Sequence, residues 1–82
     1  VTNIRVDTDA HRVRVTTPRG VITLTYLGKG RWEWIGTHGT AGVSARLAAH
    51  AISDLVPDAA GLLRAAVAGL TPAARSTALE GL

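Results

Sequence analysis

The sequence contains no cysteine, no methionine and no phenylalanine, and only two tryptophans and one tyrosine among its 82 residues. The lack of cysteine excludes a disulfide scaffold and any thiolate metal site. No apolar run reaches the length of a membrane-spanning helix, and Val1-Thr2-Asn3-Ile4-Arg5 does not have the character of a signal peptide. The expectation is therefore a soluble, cytoplasmic protein without a membrane partner. Large aromatic side chains are scarce, so one copy can build only a thin core, and self-association is an attractive supplement.

Leu, Ile and Val make up about a quarter of the chain, enough to place it among folded proteins, and the length allows one small domain. Nine Lys and Arg face six Asp and Glu. Residues 1–36 contain Arg5, Arg12, Arg14, Arg19, Lys29 and Arg31 against Asp7, Asp9 and Glu33, whereas residues 37–82 are balanced. The whole excess of positive charge thus lies in the first half. That half is also rich in β-branched and aromatic residues, while 13 of the 14 alanines follow residue 40. The chain is expected to change from strand to helix near Gly36.

Alternation predicts four strands over residues 3–7, 12–17, 21–27 and 31–36, joined by connections short enough for antiparallel hairpins. Setting the register from the turn over Thr17 to Gly20 and from Gly28-Lys29-Gly30 places Val13 opposite Leu24 and Val15 opposite Ile22. It likewise places Leu24 opposite Trp34 and Tyr26 opposite Trp32. Ile4, Val6, Val13, Val15, Ile22, Leu24, Tyr26, Trp32 and Trp34 then share one face. Arg5, Asp7, Arg12, Arg14, Thr16, Thr23, Thr25, Arg31 and Glu33 share the other, with Val21, Leu27 and Ile35. Because a one-residue slip inverts every side chain, this agreement supports a meander with one buried and one wet face.

Thr40 is a candidate cap for a helix over about residues 41–56, Pro57-Asp58 starts a second, and Thr71-Pro72 opens a short third ending near Gly81. The expected fold is α+β: a four-stranded antiparallel meander (1–36) and two or three C-terminal helices (40–82) packed on one sheet face, all in a single domain. Leu62, Leu63, Val67, Leu70 and Leu79, with Leu82, exceed what four strands need to cover. They are the candidate interface for a second copy or another protein.

The sequence offers little for catalysis. His11, His38 and His50 have no neighbour at a spacing that builds a triad or a metal triplet, and His50 with Arg46 and Asp54 reads as a solvated helix stripe. A non-enzymatic protein with neither metal nor cofactor is expected. Gly36-Thr37-His38-Gly39-Thr40-Ala41-Gly42, placed before a helix, has two readings: backbone amides offered to an anion, or a tight crossover needing positive φ.

The wet face carries the remaining chemistry. Arg12, Arg14, Arg31 and Arg5, interleaved with threonines, supply forked donors suited to phosphates or guanine edges, with Lys29 and Arg19 at the loop tips. The competing reading is a set of cross-strand ion pairs, with Arg12 beside Asp7. DNA is accordingly the candidate ligand, and an oligomerising adaptor is the alternative. Finally, Trp34-Ile35-Gly36-Thr37, followed by Thr40-Ala41 and Ala45-Arg46, resembles about twenty residues of the AP2/integrase-type DNA-binding domain. In that family these residues form the last strand and the helix start beside a three-stranded sheet that enters the major groove. The resemblance implies DNA binding. It departs at the tryptophan, since the family turns the position of Trp34 toward DNA, whereas the alternation here buries it.

Overall fold

The computed structural model describes residues 2–36 and 39–82. Five strands form one antiparallel meander in chain order: β1 (Asn3–Asp7), β2 (Arg12–Thr17), β3 (Gly20–Gly28), β4 (Arg31–Gly36) and β5 (Gly39–Ser44). Three helices follow: α1 (Ala45–Ile52), α2 (Ala59–Ala66) and α3 (Pro72–Ala78). The α+β class, the antiparallel sheet and the C-terminal helices are as expected. The four register pairs Val13–Leu24, Val15–Ile22, Leu24–Trp34 and Tyr26–Trp32 are all present.

The strand count is the correction. Residues 39–44, expected to enter a helix at Thr40, instead pair with β4 from Gly36–Gly39 through Arg31–Ser44. Ala41 and Val43 lie beside Trp34 and Trp32, which extends the apolar face by one strand. The helix begins four residues later, where the Ser44 Oγ accepts the Leu47 amide at 3.3 Å. It ends at Ile52 rather than Val56, with Ser53 as C-cap. The other helix starts fall where expected. Asp58 accepts the Gly61 amide at 3.0 Å, and Thr71 accepts that of Ala74 at 3.2 Å ahead of Pro72.

The core is built from Val13, Val15, Leu24 and Trp32 of the sheet and Ile52, Val56, Leu63 and Val67 of the helical half, with buried alanines between them. Small alanines let the short helices lie close on the sheet, which compensates for the scarcity of large side chains. Two side chains of the sheet half also hold helix ends. Trp32 Nε1 donates to the Ala78 carbonyl at 2.9 Å, and His11 Nδ1 lies 3.1 Å from the Ala66 carbonyl. Both carbonyls belong to last turns, where no partner exists within the helix. The Tyr26 ring packs tilted on Trp32 at 5.2 Å, and its hydroxyl accepts the Gly30 amide at 2.9 Å. Gly30 itself has φ 76°, and a Cβ there would stand 3.3 Å from the Thr77 carbonyl, so a tight turn and a close helix both require glycine.

Candidate nucleic-acid interface

The polar sheet face is set by alternation on strands whose other face is buried. Register then decides which of its side chains meet. Arg5 lies opposite Arg14, and Asp7 opposite Arg12. Arg14 in turn faces Thr23, and Arg12 faces Thr25. Three arginines on β1 and β2 therefore form one cluster, which with Asp7 lines a shallow depression of about 230 Å³. All four side chains are exposed.

Like charges directly opposite each other on paired strands are unfavourable. Asp7 is placed to relieve this, yet its Oδ1 accepts the amides of Asp9 and Ala10 at 3.0 and 3.1 Å and so fastens the β1–β2 turn. The Arg12 Nε donates instead to Thr25 Oγ1 at 3.2 Å. That bond lays the guanidinium across β3 and leaves its outer donors facing solvent. The role of Asp7 in the turn was missed in the sequence reading. Its signal is an Asp at the head of Asp7-Thr8-Asp9-Ala10, a side chain suited to accept amides two and three residues on.

The remaining basic residues are dispersed. Arg31 stands on β4, beyond Thr25 and Glu33, with Nη2 lying 3.0 Å from where a Cβ on Gly42 would stand. It belongs to the β5 side of the face, not to the cluster. Arg19 lies in the β2–β3 turn and Lys29, at φ 55°, in the β3–β4 turn, so they bracket the sheet at opposite ends. Val21, Leu27 and Ile35 are exposed on the same face, with Leu27 at 58%.

The other candidates fare differently. His11 is held against α2, and His50 is exposed on α1 between Arg46 and Asp54. His38 and Thr37 lie outside the described residues. Among the described residues, no group of three or more His, Asp or Glu side chains is gathered. Of the glycine-rich stretch, the described residues 39–42 belong to a strand that runs to Ser44 before the helix begins, so they do not stand at a helix start. In the helical half, Leu63 and Val67 are fully buried in the chain's own core, and Leu62, Leu70 and Leu79 pack against it. Leu63 and Val67 are therefore not available as interface residues, whereas Leu62, Leu70 and Leu79 are half-buried. No helix among the described residues is long and apolar enough to cross a membrane.

The segment resembling the AP2/integrase-type domain also departs from that pattern in three dimensions. Trp34 lies on the helix-covered side, and Thr40-Ala41 continue into a strand. No protein-family model, curated protein or solved structure matches the chain.

Proposed function

We propose that this chain is a small non-enzymatic nucleic-acid-binding accessory protein that grips the phosphate backbone with Arg5, Arg12 and Arg14. Arg19 and Lys29 extend the contact toward the two ends of the sheet, and Arg31 is peripheral. The observation that carries this reading is the Arg5–Arg14 register pair with Arg12 beside it. A protein keeps an unfavourable arrangement of this kind where something else offsets it. A polyanion spanning the cluster does so by accepting forked donors from all three guanidiniums. The exposed Val21, Leu27 and Ile35 add apolar contact for sugars or bases.

The three cluster arginines alone give a slope of about −2.7 for log affinity against log salt on duplex DNA, so a fourfold rise in salt weakens binding by at least about forty-fold, and contacts from Arg19 and Lys29 steepen it further. Titrations against duplex and single-stranded DNA at two salt concentrations test this, comparing the parent with Arg12→Ala/Arg14→Ala. The expected result is salt-sensitive binding whose slope falls by about 2 in the double variant. Absence of binding at low salt overturns the reading.

A further inference from the structure

We infer that the β5 edge and the groove beside it form a self-complementary interface that joins two copies of this chain into one continuous ten-stranded sheet about a twofold axis through Gly42. This inference does not rest on the nucleic-acid reading.

The hydrogen-bond phase of the sheet settles which β5 residues face outward. Tyr26 N–H donates to the His11 carbonyl at 2.9 Å, so Leu24 and Ile22 turn their amides toward β2 as well. Thr23 and Thr25 then face β4, and following the register pairs across places Trp34 and Trp32 toward β5. Thr40, Gly42 and Ser44 are left with N–H and C=O directed off the edge. A second β5 arriving antiparallel meets these groups with Gly42 opposite Gly42 and Thr40 opposite Ser44 of the other copy.

Natural edges are guarded by charge, proline or a bulge. Gly39-Thr40-Ala41-Gly42-Val43-Ser44 itself contributes none of these, and among the described residues the one charge over it, Arg31, comes from β4 and lies above Gly42. Beside it, on the helix side, Trp34, Val43, Leu47, His50 and Ala51 line an apolar groove of about 400 Å³, and Leu47 is 56% exposed. The indole N–H of Trp34 is buried without a partner.

A second copy fits this side better than an unrelated strand for two reasons. First, Leu47 of α1 is exposed and stands with Gly42, Val43 and Ser44 along the β5 edge, so a twofold axis through Gly42 brings Leu47 of each copy to the same side of the joined sheet. Second, Arg31 reaches over Gly42 toward the edge, and Glu33 is the register partner of Gly42. With glycines facing across the axis, each Arg31 has an open path toward Glu33 of the other copy, a reciprocal charge match that only a copy supplies.

Sedimentation of the full chain over a concentration series up to hundreds of micromolar reads this directly. The expected result is a reversible rise to twice the monomer mass, with the midpoint moved at least tenfold higher by Leu47→Lys and by Thr40→Pro. Thr40→Pro removes an outward amide only, and circular dichroism checks that each variant is folded. Gly42→Cys, in a chain without cysteine, is expected to give a disulfide-linked dimer under mild oxidation, because directly opposed strand residues meet the required Cα separation. If Thr40→Pro fails to fold, Leu47→Lys and the cross-link decide. A parent that stays monomeric, an assembly larger than a dimer, or a dimer indifferent to folded variants with no cross-link at Gly42 each overturns the inference.

Discussion

The two flanks of the sheet are built on opposite principles. The β1 edge carries Arg5 and Asp7 and faces Arg14 and Arg12 across the first ladder, so any strand approaching it meets charge. The β5 edge is small and uncharged, and the nearest cation, Arg31, lies over a glycine. A single meander thus presents a charged rim suited to a polyanion and a neutral rim suited to another backbone. Sequence distance produces the division, because a meander delivers its first and last strands to opposite edges.

Both rims depend on one rigid centre, and its removal gives the largest expected effect. Trp32 is fully buried and holds the Ala78 carbonyl. Trp32→Ala is expected to cost about 3–5 kcal/mol, comparable with the whole stability of a chain this small. Chemical denaturation checks this, and nucleic-acid binding and self-association should disappear together. Trp32→Phe keeps most of the packing and loses the hydrogen bond, so a smaller loss of about 1–3 kcal/mol is expected.

The central strands were legible because alternation there is unbroken. Placing Trp32 and Trp34 inward fixes which face is buried, the short Gly28-Lys29-Gly30 connection then sets the register of β3 and β4, and both tryptophans lie on the helix side. The fifth strand was not legible. Ala41 and Val43 satisfy a strand's period and a helix's apolar stripe equally well, and Thr40 and Ser44 are both acceptable caps. Pairing with β4, which local sequence does not encode, decides between them. The basic face was legible as a composition, and even the Asp7–Arg12 register was anticipated. In the competing reading Asp7 pairs with Arg12; in the structure Asp7 Oδ1 accepts the turn amides and the Arg12 Nε donates to Thr25 Oγ1. Separation of Arg31 from the other arginines follows from the order of strands, which places β3 between them.

The boundary between the fifth strand and the first helix supplies a sharper test of the neutral rim. Ser44→Ala removes the acceptor for the Leu47 amide and is expected to cost about 1 kcal/mol, seen as a lower denaturation midpoint. Thr40→Ala leaves that cap intact and is expected to change stability by less than about 0.5 kcal/mol. The reverse ranking would move the helix start back to Thr40, eliminate β5 and remove the uncharged edge.

The smallest effect is the one that separates the rims most directly, because its sign differs from the others. Arg14→Thr relieves the like-charge pair with Arg5 and places a β-branched residue in a strand, so a gain of about 0.2–1 kcal/mol is expected while affinity for nucleic acid falls. Arg31→Thr makes the same chemical change on the opposite flank. Its register partners are Gly28 and Ser44, with no cation across either ladder, so relief of repulsion contributes nothing there. Read on the monomer at low protein concentration, where no second copy meets Arg31, the change there measures strand propensity and the loss of Arg31 over Gly42, and the difference between the two variants carries the cost of the Arg5–Arg14 pair. Paired denaturation curves at low salt, repeated at high salt where exposed charges are screened, read that difference. It should shrink as salt rises; a difference that is absent at low salt, or that salt leaves unchanged, would mean that the arginine cluster stores no repulsion for a polyanion to relieve.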